Sequence, residues 1–121
     1  MIPLMTYTAG SGSTRKRPRP RHVPGEMNAT EKAYAQHLDK LKAVGEVIDW
    51  SFESMKLKLG KACFYTPDFV VITPDGIEVH EVKGHWEDDA RVKIKVAAAK
   101  FWWFKFIAIQ KDRAGWKVEE F

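Results

Sequence analysis

Asp68 follows Pro67, and after twelve intervening residues comes Glu81-Val82-Lys83. On a β-strand, residues two apart share a face, so Glu81 and Lys83 project together and Val82 projects the other way. Ile77 and Val79 lie on the Glu81 face, so the charges close an apolar row, where an unbalanced acid or base is costly. Between the two segments, Thr73-Pro-Asp-Gly76 has Pro and Gly where a type I turn takes them. A tight hairpin about that turn pairs residue 73 with 76 and therefore sets residue 68 opposite 81. Two carboxylates held this way repel unless a divalent cation sits between them. The chemistry implied is phosphodiester hydrolysis. Hard oxygen ligands would hold Mg²⁺ or Mn²⁺, and the metal would polarise the phosphate and acidify a bound water. Lys83 would stabilise charge on the pentacovalent transition state or position the water.

The elements that must hold these residues can be read from the pattern. Asn28-Ala-Thr-Glu31 has the form of a capping box and opens a helix in which Tyr34, Leu38 and Leu41 recur at helical spacing before Gly45. Ile48, Trp50 and Phe52 alternate with polar residues, and Met55 to Leu59 alternates again, which predicts two half-buried strands. Phe69–Ile72 is a continuous apolar strand, and Ile77–Lys83 is its return. Asp88 or Asp89 caps a second helix running to about Trp102, with a predicted apolar stripe of Val92, Val96, Ala99 and Trp103. Trp102 and Trp103 are expected in the core. Phe104–Ile109 reads as a buried strand, parallel to the previous one because a helix crosses over between them. Trp116–Phe121 is a last short strand. The expected architecture is α/β, one mixed sheet flanked by two helices.

The chain has 121 residues, enough for one small domain, and a net charge of +4. Arg15, Lys16, Arg17, Arg19 and Arg21 face only Glu26 within residues 1–26, so the entire excess belongs to that segment. Its Gly, Ser and Pro content predicts a disordered basic tail, with the folded domain spanning residues 27–121. The tail reads equally as a phosphate-holding arm or as a solubilising leader upstream of Met27, with a targeting leader a third reading. The single cysteine, Cys63, excludes an internal disulfide and fits a reducing compartment, so a cytoplasmic location is expected. No apolar run is long enough to span a bilayer, and no basic segment precedes an apolar stretch at the start, so neither a membrane partner nor a secretory signal is expected. Four scattered histidines lack zinc-ligand spacing. Gly10-Ser-Gly-Ser lacks the Lys-Ser/Thr of a phosphate loop, so no nucleotide cofactor is expected.

Pro67-Asp68 followed by Glu81-x-Lys83 resembles the PD-(D/E)XK nuclease superfamily. Thr-Glu-Lys-Ala-Tyr in the first helix, Phe-Tyr-Thr-Pro-Asp-Phe, His-Glu-Val-Lys-Gly, Asp-Asp-Ala-Arg-Val-Lys-Ile-Lys and Trp-x-Val-Glu-Glu-Phe together look like the small phage and prophage proteins of the family DUF1064. The resemblance covers about residues 27–121. It implies a restriction-endonuclease-like core and a Mg²⁺- or Mn²⁺-dependent endodeoxyribonuclease of phage recombination, repair or junction resolution, in the cytoplasm of a bacterial host. Asp68 and Glu81 would be metal ligands, joined by the backbone carbonyl of Val82 and by Glu31 from the first helix, with Lys83 the catalytic lysine. Gln110 would be an extra polar residue of the site. DNA is the implied partner, and the small size of the domain favours a homodimer or a branched or single-stranded substrate.

Each assignment has a plainer alternative. Asp68, Glu81 and Lys83 could form a solvated cross-strand ion network, which contributes only ~0–1 kcal/mol. Glu31 could serve only the capping box, although its spacing to Tyr34 sets it on or beside the buried stripe. Arg91 and Lys95 flank one side of the second helix's stripe and Lys93 and Lys100 the other; Arg91 and Lys95 are read as DNA contacts, against a solvated helix surface. Trp86 could stack on a base. His80 faces away from Glu81 and reads as a packing or surface residue, and His85 could contact substrate. The alternative function is a non-catalytic nucleic-acid-binding accessory protein of phage recombination or packaging, gripping DNA through the basic tail and second helix. An RNA substrate also remains open.

Overall fold

The computed structural model describes residues 23–84 and 88–121. The tail residues Arg15, Lys16, Arg17, Arg19 and Arg21 lie outside the described residues, as do Gly10-Ser-Gly-Ser, His85 and Trp86. The elements run α1 (Ala29–Ala43), β1 (Asp49–Phe52), β2 (Leu57–Gly60), β3 (Cys63–Tyr65), β4 (Phe69–Thr73), β5 (Gly76–Lys83), α2 (Asp88–Lys100), β6 (Lys105–Asp112) and β7 (Gly115–Glu120). The main sheet has the order β1-β4-β5-β6-β7, and β2 and β3 form a separate two-stranded sheet. In the main sheet only β5 and β6 pair in parallel, as the crossover through α2 requires. The class is therefore α/β with a mixed sheet, as expected. The small second sheet is a correction: Met55–Leu59 was expected to join a single sheet, but its strand pairs with Cys63–Tyr65 instead.

α1 begins as its sequence dictates. The Asn28 side chain accepts from the Glu31 N–H, and Glu31 Oε1 accepts from the Asn28 N–H at 2.9 Å, so both halves of the capping box are made. Tyr34, Ala35 and Leu38 press on one face of the sheet with Phe69, Val71, Val82, Ile107 and Ile109. The other face is covered by α2 and the small sheet, through Leu57, Tyr65, Val79, Ile94, Ala97, Phe106 and Ala108. Strand β5 feeds both layers, because successive side chains alternate: Val82 goes to the first core and Val79 to the second.

Three packing expectations fail. The buried stripe of α2 is Ile94 and Ala97, with Ala98 and Phe101 partly buried, at i, i+3, i+4 and i+7; Val92, Val96, Ala99 and Trp103 face outward. Both sets have helical spacing, and the tertiary contacts chose the set that includes Phe101. Trp102 and Trp103 are accordingly exposed, at 76% and 56%, and not in the core. Ile48 is also exposed, whereas Trp50 packs edgewise on Phe69 and Phe52 packs on it at a tilt. α2 ends at Lys100, two residues before the expected end.

The hairpin that matters most forms with the expected register. Thr73 pairs with Gly76 and Phe69 with His80, which carries Asp68 to the position opposite Glu81. Gly76 has φ +143°, a conformation that L side chains rarely adopt, so glycine at this turn is a backbone requirement.

Candidate active site

Asp68 precedes β4, Glu81 and Lys83 end β5, and Gln110 lies beside Lys83 on the parallel strand β6. These residues meet at the carboxyl ends of the two parallel strands, where open α/β sheets place their binding crevices. Asp68 and Glu81 are each 7% exposed, which removes the solvated ion network as an explanation. Asp68 Oδ2 accepts from the Val82 N–H at 2.9 Å. Glu81 Oε1 accepts from the Tyr65 hydroxyl at 2.8 Å and from the Asp68 N–H at 3.3 Å. Its other oxygen, Oε2, faces Lys83 Nζ at 3.2 Å. The Val82 side chain packs in the first core, so this residue meets the site through its backbone.

The electrostatics show what the cluster lacks. Burial, reinforced by the Glu81 charge, pushes the Asp68 carboxyl up to about 8, against the lowering effects of the Val82 N–H and Lys83. Burial alone would lower Lys83, but Glu81 and Asp68 outweigh it and raise its pKa, so the group stays an ammonium. Burial and then Glu81 raise the Tyr65 phenol, so its proton stays on to be donated. With both carboxyls ionised, two negative charges would face the one positive charge of Lys83.

Glu31 is 5% exposed. Its charge acts on both Asp68 and Lys83, while its Oε1 completes the capping box. The capping reading of Glu31 is made, whereas the structure does not bring Glu31 together with Asp68 and Glu81 closely enough to hold a metal; only its charge reaches the site. Among the described residues, no three His, Cys, Asp or Glu side chains come together closely enough to hold a metal. The oxygens of Asp68 and Glu81 nonetheless suit a hard divalent cation, because Mg²⁺ is commonly bound by one or two carboxylates, with water and phosphate completing its shell.

Gln110 donates from Nε2 to the Gly84 carbonyl at 3.2 Å, tying the end of β6 to the residue after Lys83. Arg91 makes a bidentate pair with Glu119 of β7, at 3.0 and 2.7 Å, and its guanidinium lies 5.3 Å from the Phe121 ring centroid. Lys95 is exposed near the same carboxylate, whose pKa its charge helps to lower. Of the two candidate DNA contacts on this flank, Arg91 is therefore paired with Glu119, and Lys95 is exposed without an ion pair among the described residues. His80 is a packing residue: Nδ1 meets the Tyr34 hydroxyl at 2.6 Å, and Nε2 meets Glu78 at 2.8 Å.

Tyr65 is the site residue that sequence reading missed. It stands in the quoted Phe-Tyr-Thr-Pro-Asp-Phe segment, but its reach to Glu81 depends on β3 leaving the main sheet. The available signal was an aromatic hydroxyl three residues before Asp68. Comparison of the chain with protein-family models, with curated proteins and with solved structures finds no match.

Proposed function

We propose that the chain is a metal-dependent phosphodiesterase, an endodeoxyribonuclease with a restriction-endonuclease-like core of the PD-(D/E)XK kind. The observation that carries this reading is the buried opposition of Asp68 and Glu81 across β4–β5, with Lys83 paired to Glu81 and Asp68 driven up by burial and by the Glu81 charge. The element order supports it: a helix bearing Glu31, a strand following Asp68, a strand ending Glu81-x-Lys83, a helix, then a parallel strand bearing Gln110. Resemblance to the DUF1064 proteins supplies the phage recombination or repair setting and the structure-selective substrate. A homodimer and a cytoplasmic location belong to the same reading. No helix among the described residues is long and apolar enough to cross a membrane.

Asp68 and Glu81 would hold Mg²⁺ or Mn²⁺, which supplies Lewis acidity at the phosphate and an acidified water. The chain's own residues do the rest. Tyr65 and the Asp68 N–H fix Glu81 Oε1, so that Oε2 stays beside Lys83. Lys83 remains charged and serves as an electrostatic donor to the phosphate oxygens, not as a general base. Hydrolysis forms a bond from water oxygen to phosphorus and breaks one ester P–O bond, and the released alkoxide takes up a proton.

The test is cleavage of labelled duplex, single-stranded, flap and four-way-junction DNA and of matched RNA, with Mg²⁺, Mn²⁺ or EDTA. Metal-dependent cutting that disappears in Asp68→Ala and Lys83→Ala supports the reading. Tight binding without cutting, unchanged by either substitution and by EDTA, replaces it with the accessory binding protein.

A further inference from the structure

We infer that the β2–β3 hairpin, together with Lys93 and Lys100 of α2, is the docking surface for the phosphate backbone of duplex DNA. The inference rests on the reading above and locates the substrate on the molecule. From Ser54 to Pro67 the chain carries Lys56, Lys58 and Lys61 and no acidic residue. Leu57 and Leu59 turn inward onto the second core, so Lys58 between them turns outward. Lys56 and Lys61 are exposed before the strand and in the turn. Two more cations come from α2: Lys93 Nζ lies 3.4 Å from the Phe64 carbonyl, and Lys100 Nζ lies 3.4 Å from the Leu59 carbonyl. The Lys56 ammonium sits 4.5 Å over the Phe64 ring, which orders it without neutralising it.

Among the described residues, none of these five lysines forms an ion pair, whereas Lys42, Lys83, Arg91 and Lys105 all do. The two flanks of α2 therefore differ. On one, Arg91 is paired with Glu119 while Lys95 forms no ion pair among the described residues; on the other, Lys93 and Lys100 run unpaired onto the hairpin. The surface also begins at the site, because Tyr65 ends β3 and donates to Glu81. Exposed lysines carry point charges without the fork that reads a base edge, so the surface grips phosphates and carries no sequence information.

The test uses the full chain carrying Asp68→Ala, with EDTA present, and a fluorescein-labelled duplex titrated over a range of salt. Each phosphate neutralised contributes about 0.9 to the slope of log affinity against log salt. Changing Lys56, Lys58 and Lys61 to Gln should lower that slope by about 2 to 3. Arg at the same positions should restore it, and Gln at Lys32, Lys40 and Lys111 should leave it unchanged. A fluorophore on Cys63, exposed in β3, should report the duplex in the parent and lose the signal in the hairpin variant. An unchanged slope in the hairpin variant, or an equal fall in the control, overturns the inference. So does hairpin-dependent binding to phosphatidylserine vesicles with DNA binding unaltered. The assay needs no metal, so the two claims separate. A chain that never cuts but shows the slope change keeps the surface and loses the nuclease reading. A chain that cuts without the slope change keeps the reading and loses the surface.

Discussion

Strand β5 carries a buried polar cluster on each face, and the two are built differently. Toward α1, Glu78, His80 and the Tyr34 hydroxyl form a chain in which each group meets a partner, and Tyr34 packs edgewise on Phe69 and Trp116. The one carboxylate there is held below its usual range, first by its bond to His80. Toward α2, Glu81 and Asp68 share one lysine, and Asp68 is driven far up. A balanced cluster staples a helix to a sheet. An unbalanced cluster costs folding energy and persists where an external charge completes it. The comparison assigns structure to one face and chemistry to the other.

Substitutions should separate the two faces. The largest effect is on activity: Asp68→Ala or Lys83→Ala should lower the cleavage rate by about 10³-fold or more while the far-ultraviolet circular dichroism stays native. His80→Ala should do the opposite. It strands Tyr34 and Glu78, costing ~2–4 kcal/mol in urea denaturation, and leaves Mn²⁺ affinity unchanged.

The pH dependence sharpens the contrast. Without metal, the folded chain keeps the Asp68 proton up to about pH 8, whereas the unfolded chain releases it near 3.8. The folded state therefore binds the extra proton across that window, and stability should fall as pH rises through it. Asp68→Asn should flatten that slope and raise the metal-free melting temperature at pH 8, a gain on the order of a few kcal/mol. A variant that is more stable and inactive would mark the cluster as functional. Tyr65→Phe removes one of the two hydrogen bonds on Glu81 Oε1 and should weaken Mn²⁺ binding by roughly 10- to 100-fold in a calorimetric titration. The smallest effect is at the helix start, where Asn28→Ala should cost about 1 kcal/mol of stability.

The parts of the molecule set by local pattern were legible in the sequence. Asn28 and Glu31 announce the start of α1, and the turn at residues 73–76 fixes which residue faces Glu81. The parallel pairing of β5 with β6 followed from the crossover helix. What depended on tertiary choice was not legible. α2 has two apolar stripes at helical spacing, and only packing selects Ile94 and Ala97 over Val92 and Val96. The same ambiguity put Trp102 and Trp103 inside when they lie outside. The departure of β2 and β3 into their own sheet hid both the Tyr65 contact and the run of lysines. Arg91 looked like a free cation because Glu119 is distant in sequence and adjacent in space.

The central claim is that the Asp68–Glu81 pair is completed by a divalent cation. Its most direct test is a Mn²⁺ titration of the metal-free chain at pH 8, read by electron paramagnetic resonance beside Asp68→Asn and His80→Ala. The account expects saturable binding in the parent and in His80→Ala, and loss of binding in Asp68→Asn. Binding that survives Asp68→Asn, or a parent that binds no Mn²⁺, would contradict it.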